Sequence, residues 1–536
     1  MRQYLEVKER HPEAFVFFRL GDFYEMFFED AVEGARLLDL TLTTRDKGRE
    51  DAVPMCGVPH HAAQGYVARL LALGRKVVMC EQMEDPRHAK GIVKRAVTRV
   101  ITPGVVLDED QLEAKAPSYL AAAVPAPESR FGLAYLDVTT GEFRATEVEG
   151  AAALVDEIGA IEPKELLQPA GAAAALQPVR TAYPQLCVTQ LAEKPDDAAD
   201  VSLLGETLGA PVGGLGLSPP TVGAAAAVVR YARATQPTGA LPVVRIVPYR
   251  SADHLVVDDS SKANLELFAT LMTREKRGSL LGVLDGTLTP MGGRMLRRWL
   301  AFPLVDVAQI RRRQDAVELL VEHAALRERL RTILQEIGDL ERLAGRARLG
   351  VATPRDLVAL RRSLERLPAV HEALRAELRG EHDPPALLDL GGDDVGDVAE
   401  AVARALVDDA PAVTKDGGFI RRGYHAELDE LVDIRDGGKG AILAIEARER
   451  ERTGIASLKI RYNRVFGYYL EVTRSNLKAV PADYIRKQTT VGGERFVTPE
   501  LADHEEKVLH AEERQLELEA RLFEELRRQV GAAAPR

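Results

Sequence analysis

Three cysteines stand among the 536 residues, Cys56, Cys80 and Cys187, and no two of them form a C-x-x-C pair. That spacing argues against a disulfide framework or a zinc site and fits a reducing cytoplasm. Long apolar runs are also missing; none approaches the roughly 20 residues of a membrane helix. The opening MRQYLEVKERHPEAFVFF holds only the short run Ala14–Phe18 behind an acidic lead-in, which is not a signal peptide. No G-x-x-x-x-G-K-[ST] phosphate loop occurs. Around 435–440 the nearest match runs from 433 to 440, with Asp433 where the first glycine belongs and Gly440 in place of Ser/Thr. Positive charge is short overall: the net charge is −11, which at face value speaks against nucleic acid.

The average conceals an asymmetry. Residues 452–495 hold nine Lys/Arg against three Asp/Glu, a local net of +6, whereas 500–525 is dominated by glutamate. One basic segment in an acidic chain is enough for a phosphate-binding surface. Hydrophobic residues at 46% and charged residues at 29% describe an ordinary folded chain. At this length three to five domains are expected.

The pattern along the chain predicts a multidomain α/β plus α protein. Ala14–Phe18 and Lys76–Cys80 read as strands, Asp22–Leu38 and Gly65–Leu73 as helices, giving a compact α/β domain over 1–103. In FGLAYLDVTTGEFRATEV (131–148), two alternating runs around Thr140-Gly141 predict a β-hairpin. A second α/β domain is expected over 118–245. Its alanine tracts at 151–153, 172–175 and 224–227 read as helical surface or loop. From 246 to 425 helical patterns dominate, exemplified by 311–337, with Asp258 and its neighbours starting a helix. Long amphipathic stretches of this kind suggest a bundle with lever-like arms. Residues 426–497 combine a long helix with a Tyr/Val-rich β segment, and 498–536 returns as helix. A small basic β module is thus expected between two antiparallel long helices.

GDFYEMFFEDAVEGARLLDL (21–40) admits two readings. Asp22 with Glu25 three residues later is a capping-box arrangement, and on a helical wheel Tyr24, Phe27, Phe28, Ala31, Ala35 and Leu38 form one stripe. Phe23 and Glu25 lie to either side of it. Were the chain still extended there, Phe23 and Glu25 would point the same way. A flat ring facing outward can wedge between base steps. A carboxylate near phosphates is repelled unless a base donor satisfies it, and a mispaired base has such donors exposed.

GDFYEMFFEDA, VPMCGVPHHA (53–62), CEQMEDP (80–86) and ITPGVVLDE (101–109) together resemble the first domain of the MutS mismatch-repair family. LDGTLTPMGGRMLRRWL (284–300), ERERTGIASLKIRYNRVFGYYLEVTRSN (449–476) and ERFVTPELADHEEKVL (494–509) are similar to that family's core and clamp. The blocks span essentially the whole chain in the family's order. The resemblance implies a mixed α/β mismatch-reading domain, a ribonuclease-H-like connector and a long-helix core and lever bundle with an inserted small β clamp. It further implies that Phe23 stacks on a mispaired base, that Glu25 hydrogen-bonds it, and that Tyr24 turns into the core. Lys459, Arg461, Asn463, Arg464, Arg474, Arg486 and Lys487 become candidates for holding the DNA backbone, a role that positions the duplex without reading sequence.

By the same resemblance the partners are double-stranded DNA with mismatches or small loops and a MutL-type repair protein, in a bacterial cytoplasm with no membrane involvement. ATP and magnesium are expected only through a C-terminal ATPase domain, so this stretch is expected to lack that domain. The main dimer contacts belong largely to the same part, so the family's homodimer is not counted on for this chain. No catalytic or metal-binding residue is assigned. His60-His61 reads as a structural or backbone-contacting loop rather than a metal site. Asp137 and Glu142 read as solvated carboxylates flanking a turn rather than a nuclease centre. The alternative function is a structural clamp on branched or recombination DNA, although branches with that role depart from the Phe-x-Glu pattern kept here.

Overall fold

The computed structural model describes residues 1–536 except 46–51, 84–92, 237–239, 379–384, 389–392, 394, 464–466, 491 and 536. The chain forms two compact units, one of residues 1–351, 362–396 and 530–536, the other of 352–361 and 397–529. It is a mixed α/β protein with several sheets and many helices.

In the first unit, β1 (Ala14–Leu20), β2 (Phe23–Phe27), β3 (Thr43–Arg45), β4 (Val53–Pro59), β5 (Lys76–Gln82) and β6 (Arg95–Ile101) form one sheet in the order β3-β4-β2-β1-β5-β6. Helices α2 (Phe28–Leu38) and α3 (Ala63–Ala72) cover one face, where Phe15, Phe17, Tyr24, Met26 and Val58 are buried. On the other face α1 (Arg2–Arg10) packs with Tyr4 and Val7 against Val16, Phe18 and Phe27.

Residues 23–27 are a strand, not the first turns of a helix. Gly21, at φ +61°, and Asp22 make a two-residue turn that pairs Leu20 with Phe23, and such turns favour glycine because the backbone enters the left-handed region. Hairpin pairing on both sides of β2 outweighs the capping box. Helix α2 instead begins after Phe27, without a side-chain cap. The corner is fixed by the buried Asp30: its carboxylate accepts from Tyr4 Oη at 2.7 Å, Val16 N–H at 3.1 Å and Lys8 Nζ at 2.7 Å. Tyr24 is therefore core through strand alternation rather than through a helical stripe.

The second sheet runs β11-β10-β7-β8-β9-β12, built from β7 (Tyr119–Ala126), β8 (Arg130–Asp137), β9 (Phe143–Glu149), β10 (Glu165–Gln168), β11 (Cys187–Gln190) and β12 (Val247–Pro248). The hairpin β8–β9 turns through Gly141 at φ +79°. Helices α4 (Ala151–Ile161) and α5 (Gln177–Ala182) lie on one side of it. On the other, after α6 (Asp197–Leu208), comes α7 (Pro219–Thr235). The tract Ala224–Ala227 is not surface: α7 is buried on all sides there, from Thr221 to Val229. Small side chains let this helix press so close that a Cβ on Gly132 would stand 2.1 Å from the Pro220 carbonyl carbon.

The segment between the two sheets is gripped by helices further along the chain. These follow α8 (Asp259–Asn264) and α9 (Leu280–Leu284) as α10 (Pro290–Ala301), α11 (Val307–Glu322), α12 (Ala324–Leu334) and α13 (Leu340–Leu349). Arg342 of α13 donates to the carbonyls of Glu113 at 3.2 Å and Ala116 at 3.0 Å. Arg294 of α10 donates to that of Ala114 at 2.9 Å. The stretch 311–337 is two helices rather than one, breaking at His323. Arg327 Nη1 donates to the Leu320 carbonyl at 2.8 Å, satisfying an acceptor at the end of α11. Asp258 caps α8 by accepting from Ser261 N–H at 2.7 Å, as the pattern there predicts.

After α14 (Pro354–Leu364), α15 (Leu367–Leu378) and α16 (Gly396–Ala405), the second unit carries α17 (Ala426–Thr453) and α18 (Pro499–Ala533). Their contacts run in opposite senses, Arg514 with Glu427 and Arg448 with Glu500. In sequence between them lies a four-stranded sheet, β13 (Lys459–Asn463), β14 (Gly467–Thr473), β15 (Ile485–Thr489) and β16 (Gly493–Val497), ordered β13-β14-β16-β15. Segment 435–440, the false phosphate loop, lies wholly inside α17. No helix among the described residues is long and apolar enough to cross a membrane.

Candidate nucleic-acid interface

Two surfaces hold the sequence-predicted residues, one in each unit. On the first sheet, alternation along β2 sends Tyr24 and Met26 into the core and leaves Phe23 and Glu25 together on the opposite face. Phe23 is 47% exposed, unusual for an aromatic residue on an interior strand. The partner of Glu25 across β4 is Gly57. A Cβ there would stand 3.2 Å from the Tyr24 carbonyl oxygen, so the glycine lets the two strands approach closely, while Glu25 Cγ at 3.4 Å and Phe23 Cδ1 at 3.8 Å would be in ordinary contact with it. Behind them Tyr24 is anchored, its hydroxyl donating to Glu81 and its ring 5.4 Å from that of His60. Burial first, then the Glu81 bond, pushes the Tyr24 phenol far above its usual range.

Arg95 borders this face and carries no local sequence signal. It stands across from Gln82 on β6, its guanidinium 5.2 Å from the centre of the Phe18 ring, while Phe18 pairs with Glu25. Its Nε donates to the Arg19 carbonyl at 2.7 Å. Burial pulls the Arg95 guanidinium below its usual value, and the Glu25 charge acts against that. His60 donates its backbone N–H to the Asp22 carbonyl at 2.9 Å, tying the 59–62 loop to the β1–β2 turn.

The second surface is the four-stranded sheet. Lys459, Arg461 and Asn463 share the side of β13 that faces Glu471, Tyr469 and Gly467 in register. Arg461 pairs with Glu471 at 2.9 Å and stays largely exposed. Arg495, not singled out by the sequence, completes this face. It lies opposite Glu471, its guanidinium 4.4 Å from the Tyr469 ring centre and donating to Gln488 at 2.6 Å. Arg486 falls at the register position of Phe496, hence on the other face, 3.6 Å from Glu494. Lys487 occupies the irregularity of edge strand β15, and Arg474 begins the short helical segment after β14. Arg464 lies outside the described residues. The basic candidates are thus divided between two faces and an edge.

The carboxylates Asp137 and Glu142 are held by the structure rather than free in solvent, the first buried and the second half-buried. Asp137 is buried, accepting from Ser118 N–H at 3.0 Å and Thr139 Oγ at 2.6 Å. Glu142 accepts from Tyr119 Oη at 2.8 Å and Arg298 at 2.7 Å. Burial works to raise the Glu142 value, but the Arg298 and Arg144 guanidiniums outweigh it and hold the carboxyl below its usual range. Both carboxylates are consumed by structure, the turn signal having hidden the arginine that reaches Glu142 from 156 residues away.

Comparison with known proteins agrees with this layout. Residues 1–110 match the family model for MutS domain I, 118–245 that for MutS domain II and 260–536 that for MutS domain III. The DNA mismatch repair protein MutS of Myxococcus xanthus (strain DK1622) is 50% identical over all of this chain and 60% of the relative. Those of Anaeromyxobacter sp. (strain Fw109-5) and Syntrophobacter fumaroxidans are 49% and 44% identical over the same shares. The chain therefore spans about 60% of the length of the curated relatives it matches, and with all three domain models matched in order it belongs to the MutS family of DNA mismatch repair proteins.

Proposed function

We propose that this chain binds duplex DNA containing mispaired bases or small loops, testing a base step with Phe23 while Glu25 accepts from a donor on the mispaired base. The observation that carries this reading is an aromatic ring 47% exposed on an interior strand, beside a carboxylate whose cross-strand partner is a glycine. Inserting such a ring unstacks a step at a cost of a few kcal/mol and kinks the duplex, and a mispaired step resists least. Supporting the duplex falls to the basic sheet, whose Lys459, Arg461, Arg474, Arg486 and Lys487 would contact phosphates, with Asn463 as a neutral donor. Arg464, next to these in sequence, is proposed for the same role.

In this reading 1–103 is the reading domain, 118–245 a ribonuclease-H-like connector, 246–425 core and lever helices, 426–497 the clamp with its helix and 498–536 the returning lever. No residue here is assigned to ATP or magnesium; nucleotide chemistry, dimerisation and a MutL-type partner are proposed for the full-length protein. The test is binding of matched and mismatched duplexes by the chain at one salt concentration. A preference for the mismatch that disappears in Phe23→Ala supports the reading. A preference that survives that substitution overturns it.

A further inference from the structure

The first sheet is fastened to the second at the end away from Phe23, through one buried carboxylate. Glu165, on β10, has no solvent exposure. Its Oε2 accepts from Gly104 N–H at 3.1 Å, and its Oε1 accepts from the Tyr231 hydroxyl at 2.8 Å and from the Thr189 hydroxyl. Lys76 Nζ lies 3.7 Å away. A carboxylate this deep persists only when donors surround it. One of these partners belongs to the reading sheet and another directly follows it. Lys76 opens β5 opposite Ala14, the first residue of β1, and Gly104 follows β6, whose Ile101 pairs with Val77. The fit is close: a Cβ on Gly104 would meet Glu165 Cβ and Leu120 Cδ1 at 2.8 Å.

We propose that Glu165 is a positioning residue for mismatch reading, holding the base of the first sheet so that Phe23 insertion deforms the DNA instead of displacing the sheet. This rests on the reading of Phe23 given above. Force applied at the ring acts equally on the sheet that carries it, and a kink forms only if the sheet yields less than the duplex. The path from ring to anchor is continuous: Phe23 pairs with Leu20, and β1 runs back to Ala14, beside Lys76. Six residues along a strand span about 20 Å, so a tilt of about 5° at the base would move the ring by about 1.7 Å. That is roughly half of the 3.4 Å spacing along one DNA strand. A loosened anchor therefore blurs the probe without touching any group that meets DNA.

The experiment measures affinity of the chain for a matched duplex and for the same duplex with a G·T mismatch, together with bending of end-labelled DNA. The variants are Glu165→Gln, Lys76→Met, Lys76→Arg and Phe23→Ala, each checked for cooperative unfolding. Glu165→Gln and Lys76→Met are expected to lower mismatch preference about tenfold and reduce bending, with matched-duplex affinity unchanged. Lys76→Arg, which keeps the charge, is expected to retain the preference. If folded Glu165→Gln and Lys76→Met keep full preference and bending while Phe23→Ala loses them, the anchor role is overturned and the reading stands. If Phe23→Ala itself keeps the preference, the reading fails and the anchor role with it.

Discussion

The first sheet and the four-stranded sheet each bury one set of side chains and present another, and they present opposite things. On the first, an interior strand exposes a single ring beside one carboxylate, whose cross-strand partner is Gly57. On the other, the core is small, gathered around Leu458, Leu470, Val472 and Phe496, and the exposed positions hold the cations Lys459, Arg461, Arg486 and Lys487 interleaved with Tyr462 and Ile485. Short-range contact and long-range charge are thus separated in the fold. Contacts to bases discriminate, whereas contacts to phosphates position. A chain of net charge −11 still grips a polyanion if its cations are concentrated where the duplex lies.

The largest expected effect breaks the first half of that contrast. Phe23→Ala should abolish mismatch preference, a loss of about tenfold to a hundredfold given the 1–3 kcal/mol of base–aromatic stacking, with little change in matched-duplex affinity. Fluorescence anisotropy with both duplexes measures it. Equal losses on the two duplexes would make Phe23 a mere affinity contact. Next in size, Lys459→Ala combined with Arg461→Ala and Lys487→Ala should weaken both duplexes alike. The slope of log affinity against log salt should fall by about 0.9 for each phosphate contact removed. A changed preference with an unchanged slope would move these residues from grip to reading.

How much of this contrast is legible in the sequence varies with the range of the forces that set it. Helices α17 and α18 and the β8–β9 hairpin follow from local periodicity and turn chemistry, which sequence exposes directly. Residues 21–27 carry two local signals at once, a capping box from Asp22 to Glu25 and a Gly-Asp hairpin turn. Pairing with β1 and β4, which is tertiary, selects the second. Phe23 and Glu25 fall off the helical stripe, and of the two readings the residues admit the structure takes the extended one, in which period-two alternation gives them one face. Gly57 and Arg95 were invisible because only strand pairing brings them to Glu25. Ala224–Ala227 reads as surface yet is buried, because alanine suits tight helix–sheet contacts as well as exposed helices. Its role depends on Gly132, some 90 residues away.

A smaller effect sharpens the reading face itself. Glu25→Gln removes a charge that phosphates repel, so matched-duplex affinity should rise by about twofold while mismatch preference falls several-fold, in line with the 1–3 kcal/mol attached to a base-edge contact. Parallel titrations at two salt concentrations separate the two consequences, because only the repulsion is screened. A matched-duplex affinity that drops instead would mean Glu25 supports the strand rather than faces DNA.

The smallest effect uses the placement of the thiols. Cys56 and Cys80 lie in the first sheet and Cys187 in the second, none in the basic sheet, and burial pushes all three up to about 11. A thiol at that value is about 0.1% thiolate at pH 8, so each should react with a disulfide reagent on the order of a hundredfold slower than free cysteine. Because the folded value is raised, the protonated form is what folding favours. The associated stability is complete below the ordinary thiol value and is lost as pH climbs from there toward 11. Thiol labelling at pH 8, with unfolding midpoints followed from pH 8 to 11, checks both. Labelling should be unaltered by the Lys459, Arg461 and Lys487 substitutions, since those act on a sheet without cysteine. A thiol reacting as fast as free cysteine in the unmodified chain would show that the first or second sheet opens readily, and a sheet that opens readily cannot brace an inserted ring.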